Sequence, residues 1–210
     1  FSPDSKRVAH AALLDNKWFM VIDGKEEKKY DGVTQGTPIF SPDSKRIAYA
    51  AQAGNNAFVI VDGKEQKEYH GIGVNTLTFS PDSKRVAYGA QAGNKWFVVV
   101  DSKNGKPYDS IARPYFSPDS KRVGYVAGLG DRDFVVVEGK EGKQYNAIGG
   151  NTLTFSGDSK RVAYAAQAGN RWYLVIDGKE EGPYDAIRVN TLTFSADSRR
   201  VAYTAQVGGQ

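Results

Sequence analysis

The chain of 210 residues contains no cysteine, two histidines and a single methionine. Without cysteine, neither a disulfide framework nor a cysteine-ligated zinc site can form. This absence excludes the small disulfide-stapled class of secreted domains. A chain of this length needs no such staple, because it buries roughly 70% of its unfolded surface on folding.

Long apolar segments are also missing. The longest apolar runs, such as residues 96–100, have about five residues, far short of the roughly 20 that a membrane-spanning helix needs. The 28 basic and 24 acidic residues are interleaved along the chain. They form no basic arm of the kind that binds nucleic acid or an anionic membrane surface. We therefore predict no membrane insertion and no nucleic-acid partner.

What the sequence does contain is one phrase, Phe-Ser-Pro-Asp-Ser-Lys-Arg-Val-Ala-Tyr, complete at residues 79–88. Its copies begin at successive spacings of 39, 39, 37, 39 and 39 residues, at Phe1, Phe40, Phe79, Phe116, Phe155 and Phe194. A fixed period near 40 residues is typical of repeat architectures. Because no linker separates the copies, we expect a single domain over residues 1–210.

The fifth copy, residues 151–189, predicts four short antiparallel strands. They are an alternating inner strand at 151–155, a small-residue strand at 161–166, an apolar strand at 172–176 and an outer strand at 179–187 anchored by Tyr184 and Ile187. Pro-Asp, Ala-Gly-Asn and Asp-Gly turns separate them. A sheet that is apolar on both faces must be covered on both. Radial stacking of such sheets achieves this cover, so the pattern predicts an all-β fold, a β-propeller.

Residues 40–48 read Phe-Ser-Pro-Asp-Ser-Lys-Arg-Ile-Ala, and close copies cover essentially the whole chain. The phrase resembles the hallmark Phe-Ser-Pro-Asp-Gly-Lys-Arg-Ile-Ala of the WD-repeat-like, TolB-type β-propeller repeats of bacteria. Serine replaces the glycine in every copy, and the outer strands also differ, so only the repeat family is carried over. The resemblance implies an exported bacterial protein, periplasmic or extracellular.

Counting strands predicts about five blades and a surplus half-blade. In this arrangement, residues 190–194 supply the inner strand for residues 8–12, and residues 201–206 are left over. A six-bladed propeller with one incomplete blade, a strand-exchanged oligomer and a fragment of a longer array are the alternatives. The chain begins in mid-motif, which favours a fragment, a processed product or a trimmed chain.

In this topology the Asp-Ser-Lys-Arg and Asp-Gly-Lys-Glu turns share one face. We interpret their alternating charges as a solvated rim. An anion site over the arginines at positions 7, 46, 85, 122, 161 and 200 is the alternative.

The opposite face collects amide side chains, and propeller families usually bind their ligands there. The candidate ligand-binding amides are Gln52, Gln91, Gln167, Asn75, Asn151 and Asn190. Tyrosines that we expect near them are Tyr69, Tyr108, Tyr145 and Tyr184. The competing interpretation is that the amides only form turns.

Differences between copies point to four further candidates, because positions that recur in every copy serve packing. Arg113 stands where other copies have threonine, and Arg188 stands where two copies have glycine. Asp131 and Arg132 lie in a turn of the fourth copy that reads differently from the others. Simple drift between copies is the alternative explanation.

No residue pattern supports chemistry. His10 and His70 each replace a repeated tyrosine or Asp/Asn, and no serine lies in a nucleophile elbow. We therefore predict no catalytic residue, no metal and no cofactor, and a non-catalytic scaffold that binds a protein or peptide, with a glycan as a further candidate. The alternatives are the propeller portion of a larger exported hydrolase and a self-assembling or designed repeat protein, monomeric or strand-exchanged.

Overall fold

Every repeat folds into a small antiparallel sheet in the structure, a computed structural model that describes residues 1–208. No helix occurs among these residues, so the predicted all-β fold is confirmed. The chain divides into two compact units, Phe1–Pro107 and Tyr108–Gln210.

The first unit contains three sheets. The first sheet is formed by β1 (Ala9–Leu14), β2 (Lys17–Ile22) and β3 (Lys25–Glu26). The second sheet is formed by β4 (Gly32–Val33), β5 (Ile39–Phe40), β6 (Ile47–Ala53), β7 (Asn56–Val61) and β8 (Lys64–Glu65). The third sheet is formed by β9 (Gly71–Ile72), β10 (Thr78–Phe79), β11 (Val86–Ala92), β12 (Lys95–Val100) and β13 (Lys103–Asn104).

The second unit contains two further sheets and a half-blade. The fourth sheet is formed by β14 (Ser110–Ile111), β15 (Tyr115–Phe116), β16 (Val123–Leu129), β17 (Arg132–Val137) and β18 (Lys140–Glu141). The fifth sheet is formed by β19 (Ala147–Ile148), β20 (Thr154–Phe155), β21 (Val162–Ala168), β22 (Arg171–Ile176) and β23 (Lys179–Tyr184). The half-blade consists of two two-stranded sheets. One pairs β24 (Ala186–Ile187) with β27 (Ala205–Gln206), and the other pairs β25 (Thr193–Phe194) with β26 (Val201–Ala202).

The inner strand of each complete sheet is split into two short segments. In the fifth sheet both β19 and β20 pair with β21, at opposite ends of that strand. The loop between them contains Asn151 in a left-handed conformation, with φ of 55°. The strand predicted at residues 151–155 is therefore shorter than expected, and the segment that precedes it was not predicted. Strand segments of only two residues are too short to show an alternating pattern in the sequence.

The outer strand also ends earlier than predicted. Tyr184 pairs with Trp172 in the fifth sheet, whereas Ile187 pairs with Ala205 in the half-blade. The assignment of Ile187 to the outer strand is therefore wrong. The chain leaves the sheet after Tyr184 and begins the inner strand of the following repeat.

The last inner strand stays within its own repeat. Thr193 pairs with Ala202, and Phe194 pairs with Val201. The predicted pairing of residues 190–194 with residues 8–12 is therefore wrong, and β1 pairs with β2 alone among the described residues. A hairpin closed by six residues costs less chain entropy than a pairing between the two ends of the chain.

The second sheet shows how these repeats bury both faces. Along β7, Val59 packs into one hydrophobic cluster and Ile60 into another, each at most 1% exposed. Along β6, Ala48 and Ala51 are both fully buried, on opposite sides. Small side chains on one strand and branched ones on the next let sheets pack closely on both faces, as the sequence predicted.

Each sheet has two ends, which differ in their turns. We call the end that carries residues 41–46 and the hairpin at 62–63, with their counterparts in other repeats, the serine-turn end. The opposite end carries the turns at residues 52–55, and we call it the amide-turn end. The name also covers the loop between the two inner segments, which leaves the inner edge of the sheet between the pairs Val33–Ala51 and Ile39–Ala48. Register places the turn at 41–46 and the hairpin at 62–63 on the same side of the sheet.

Candidate functional site

The serine-turn end is organised around side-chain hydrogen bonds to the backbone. Ser41 is fully buried, and its hydroxyl donates to Asp43 Oδ1 at 2.6 Å while accepting from the Arg46 amide at 2.9 Å. Asp43 Oδ1 also accepts from the Lys45 amide at 3.1 Å. The Ser41 hydrogen bond, then the Lys45 amide, holds the pKa of Asp43 below its ordinary value. The predicted role of serine and aspartate in this turn is confirmed.

The serine that replaces the family's glycine also has a structural role. Ser83 adopts a left-handed conformation with φ of 65°, which normally favours glycine. Its hydroxyl accepts a hydrogen bond at 3.0 Å from the amide of Asp43 in the preceding repeat. Ser44, Ser159 and Ser198 repeat this arrangement. A serine hydroxyl therefore joins neighbouring sheets where glycine could not.

The turn arginines are engaged in contacts between repeats. Arg46 pairs with Asp62 at 2.8 Å and donates to the Lys84 carbonyl at 2.8 Å. Its guanidinium also lies 5.3 Å from the centroid of the Phe79 ring. The same set of contacts recurs at Arg7, Arg122 and Arg161. These arginines are committed to holding repeats together, so the alternative of an anion site over them loses support.

At the amide-turn end of the first unit, the candidate amides lie on separate elements: Gln52 on β6, Gln91 on β11 and Asn75 in the loop between β9 and β10. The Gln52 side chain donates to the Gly54 carbonyl at 3.2 Å. Asn75 has a φ of 58° and packs so closely on Gly36 that a Cβ added there would lie 2.0 Å from Asn75 Oδ1. Gln91 lies beside Gly71. Gln52 therefore supports a turn and Asn75 lies in a loop, and the prediction that these amides bind a ligand stays a prediction.

In the second unit, the structure brings two of the candidates together. Arg113 and Asn151 line one groove of about 290 Å³ together with Tyr115 and Asp133. The Tyr115 hydroxyl donates to Asn151 Oδ1 at 3.2 Å. The Arg113 guanidinium lies 6.0 Å from the centroid of the Tyr115 ring. The groove thus combines a cation, a carboxylate, an amide and an aromatic ring.

The groove has a cause that can be read in the sequence. The loop between β14 and β15 is two residues shorter than its counterparts, which explains the single spacing of 37 residues. In the third and fifth sheets a buried threonine closes this loop: Thr152 donates to the Gly149 carbonyl at 2.7 Å and accepts from the Ala165 amide at 3.1 Å. Arg113 replaces that threonine and is exposed. The shortened loop therefore lacks this threonine closure beside the groove.

The remaining candidates of the second unit lie elsewhere. Arg188 lines a separate depression of about 350 Å³ beside Thr204 and Gln206. Arg132 lies 3.7 Å from the carboxylate of Asp131, and both side chains are exposed. Gln167, which is half-buried, and Asn190, which has a φ of 61°, lie outside both depressions. Sequence reasoning had grouped these residues, and the structure separates them.

Asp133 is the groove residue that sequence reasoning missed. It stands at a position occupied by Trp18, Trp96 and Trp172 in other repeats. That replacement of a large aromatic side chain by a carboxylate was the available signal. Asp133 is half-buried, and it lines the groove together with Arg113.

The four tyrosines expected near the candidate amides are instead packed between strands. Tyr69, Tyr108 and Tyr145 are at most 3% exposed, and burial is the main cause that raises the pKa of each. The Tyr145 hydroxyl donates to Glu180 at 2.7 Å, and Tyr184 shares a hydrogen bond of 2.6 Å with Tyr203. The expectation that these tyrosines contact a ligand is wrong, because their hydroxyls are used within the fold.

The histidines do not form a site in the part of the chain that the structure describes. His70 Nδ1 accepts from the Gly93 amide at 2.8 Å, the role that Asp31 and Asn146 fill in other repeats. His10 lies exposed on β1. Within residues 1–208, no group of three or more histidine, cysteine or acidic side chains is arranged to hold a metal ion. These residues also contain no helix able to cross a lipid bilayer.

No protein-family model matches the sequence, and no curated protein matches it. Among solved structures, the chain is similar to TolB from Acinetobacter baumannii, with 19% identity, a TM-score of 0.48 and coverage of 100% of this chain and 54% of the other. It is similar to a eukaryotic initiation factor, with 15% identity, a TM-score of 0.56 and coverage of 93% and 55%. It also aligns with the β-propeller domain of the Trilobed protease from Pyrococcus furiosus, with 11% identity, a TM-score of 0.42 and coverage of 98% and 73%.

The chain has a β-propeller fold. The evidence is the repeated antiparallel sheet of four strands, buried on both faces. The β-propeller fold that the repeat predicted is therefore confirmed. The chain spans about half the length of the first two structures, 54% and 55%.

Proposed function

We propose that this chain is a non-catalytic propeller scaffold that binds a partner protein through a polar, extended peptide segment in the Arg113 groove. The observation that carries the proposal is the groove itself, which combines Arg113, Asp133, Tyr115 and Asn151 in about 290 Å³. We further propose a periplasmic or extracellular setting, which the repeat resemblance implies.

An extended peptide suits the groove better than an apolar ligand. Arg113 offers donors for a carboxylate or backbone carbonyl, and Asp133 accepts from backbone amides or a basic side chain. Tyr115 supplies an aromatic surface with its hydroxyl anchored on Asn151. The loop at Gly149 and Gly150 leaves room for backbone to approach backbone.

Two features of the chain agree with binding at this end. The repeat-to-repeat contacts at the serine-turn end occupy the side chains there, whereas Arg113 is exposed and forms no ion pair among the described residues. The sequence departures also concentrate here, in a shortened loop and in a tryptophan replaced by Asp133. Uniform drift would scatter differences along a repeat. Their concentration in one place favours a local binding site.

The test begins by selecting peptides from a displayed random library against the immobilised chain. Binding of the selected peptides is then measured by calorimetry and mapped by amide chemical shifts. Arg113→Ala and Asp133→Asn are each expected to weaken binding about tenfold, because each removes a charge-assisted hydrogen bond. Arg188→Ala, in the separate depression, is the matched control and is expected to change binding by less than about twofold.

The proposal would be contradicted if no selected peptide shifted the amide resonances of Arg113 and Tyr115. Equal losses in Arg113→Ala and Arg188→Ala would contradict it as well, since they would reflect net charge and not a groove.

A further inference from the structure

A second depression, in the first unit, lies between the second and third sheets and has properties that its counterparts lack. Its volume is about 370 Å³, and we call it the lysine cleft after Lys64 and Lys84. Tyr88, Gln66 and Ser102 also line it. All residues of the lysine cleft lie in Phe1–Pro107, so it is independent of the Arg113 groove.

Tyr88, which lines this cleft, has a buried hydroxyl without a hydrogen-bond partner. The side chain is 2% exposed, and its hydroxyl is the single buried side-chain N or O atom within residues 1–208 that has no hydrogen-bond partner. The neighbouring Tyr69 hydroxyl donates instead to Asn104 Oδ1, at 2.6 Å. Burial raises the pKa of Tyr88 above its ordinary value, so the hydroxyl keeps its proton at neutral pH. An unpaired buried hydroxyl is unfavourable, and an incoming acceptor would relieve that cost.

The boundary between the first and second sheets provides a comparison within the same chain. There, Glu65 pairs with Lys28 at 2.8 Å and accepts from the Tyr30 hydroxyl at 2.8 Å. Glu27 reaches the same boundary and lies 3.7 Å from the position of a Cβ on Gly63. Two carboxylates therefore lie at this boundary.

At the lysine cleft, both of these carboxylates are replaced by neutral amides. Gln66 stands at the position of Glu27, and Asn104 stands at the position of Glu65. Ser102, which replaces a glycine of other repeats, donates to Gln66 Oε1 at 2.7 Å and fixes the amide at the rim. Both acidic groups have been lost at one boundary, while its lysines remain.

The remaining charges leave an excess of cations. Asp62 pairs with Arg46 at 2.8 Å, and Asp101 pairs with Arg85 at 2.7 Å, so both carboxylates of the cleft are engaged. Neither Lys64 nor Lys84 forms an ion pair with its ammonium group within the described residues. An anion entering the cleft would meet two uncompensated ammonium groups.

We propose that the lysine cleft binds a small anion through its carboxylate or phosphate group. Lys64 and Lys84 supply the charge, the Tyr88 hydroxyl donates a hydrogen bond, and the amide of Gln66 and the hydroxyl of Ser102 contact the polar remainder of the ligand. The loss of the two carboxylates that are present at the neighbouring boundary is what admits an anion here.

The test is a titration with inorganic phosphate and, separately, with succinate, at constant ionic strength because screening by salt weakens all such contacts. Amide chemical shifts of Ser102 and Gln66 report binding at the cleft. The Lys64→Ala/Lys84→Ala variant is expected to raise Kd at least tenfold. The Lys25→Ala/Lys45→Ala variant changes the corresponding lysines of the neighbouring boundary and is expected to leave Kd within about twofold.

Two further variants separate binding from folding. Gln66→Glu/Asn104→Glu restores the carboxylates that the fold already accommodates at the first boundary, so this variant is expected to fold and to lose anion binding at least tenfold. Tyr88→Phe is expected to raise Kd severalfold and to leave the fold intact. Binding of either probe, with these losses, supports the proposal, and the preferred probe identifies the group.

Unchanged Kd in Gln66→Glu/Asn104→Glu would overturn the proposal. Equal weakening by both lysine pairs would overturn it too, because it would show general attraction to a basic surface. Loss of peptide binding at the Arg113 groove has no bearing on these outcomes, since that groove belongs to the other unit.

Discussion

The serine-turn end and the amide-turn end differ in how their polar side chains are used. At the serine-turn end, Ser41, Asp43 and Arg46 are all bonded within the turn or to the next repeat. At the amide-turn end, the loops differ in length and composition, and Arg113 replaces a closing threonine. The most conspicuous repeated phrase thus holds the fold together, and we propose that departures from repetition mark the places available for binding.

The largest effect expected from this comparison follows from removing a buried hydroxyl of the serine-turn end. Ser41→Ala deletes the hydrogen bonds to Asp43 and to the Arg46 amide, and it leaves that amide without its partner. We expect a loss of about 1–3 kcal/mol in the free energy of unfolding, measured by urea denaturation. Gln52→Ala, at the amide-turn end, is the control and is expected to change stability by about 0.5 kcal/mol or less. A larger loss in Gln52→Ala than in Ser41→Ala would reverse the comparison.

A smaller effect is expected at the left-handed serine. Ser83→Ala removes the hydrogen bond from the Asp43 amide and keeps the strained backbone, at a cost of about 1 kcal/mol. Ser83→Gly removes the same bond but relieves the strain, so its stability is expected to stay within about 0.5 kcal/mol of the parent.

Thermal unfolding of both Ser83 variants measures the difference. Equal stability of Ser83→Ala and Ser83→Gly would show that backbone strain has no part in the choice of residue. A large loss of stability in Ser83→Gly would show that the hydroxyl contributes more to stability than the relief of backbone strain can offset.

The smallest expected effect is a loss of stability at low pH. The pKa of Asp43 is held below its ordinary value of 3.8, and the turn aspartates Asp119 and Asp158 behave alike. Because the folded-state pKa is the lower one, their contribution to stability is present above about pH 4 and is lost as pH falls through the folded pKa. As the pH is lowered under about 4, Tm is therefore expected to decrease. The decrease is expected to be smaller in the triple variant with asparagine at positions 43, 119 and 158. An identical decrease of Tm at low pH in both proteins would show that these aspartates do not cause it.

Much of the fold could be predicted from the sequence because its signals are local. The Ser-Pro-Asp turn, the apolar strand at 172–176 and the Asp-Gly hairpin each follow from nearby residues, and all are present in the structure. The split inner strand and the place of Ile187 could not be predicted. Each depends on pairing with another repeat, and segments of two residues carry no periodic signal of their own.

The candidate site was predicted only in part, for a similar reason. Arg113 and Asn151 were named from repeat differences and do share a groove. Asp133 was missed, since its importance depends on lying across from Arg113. The buried tyrosines were misplaced, because sequence alone does not show that Tyr145 reaches Glu180.

The central claim is that the shortened loop of the fourth repeat creates the binding groove. The most direct test replaces residues 112–114, Ala-Arg-Pro, with Gly-Gly-Asn-Thr-Leu, the sequence of residues 149–153, which restores the usual loop length and its closing threonine. Calorimetry with peptides selected on the parent chain then measures binding, and thermal unfolding measures the fold. The account predicts an unchanged or higher Tm with peptide binding lost by at least about tenfold. Undiminished peptide binding in the folded variant would contradict it.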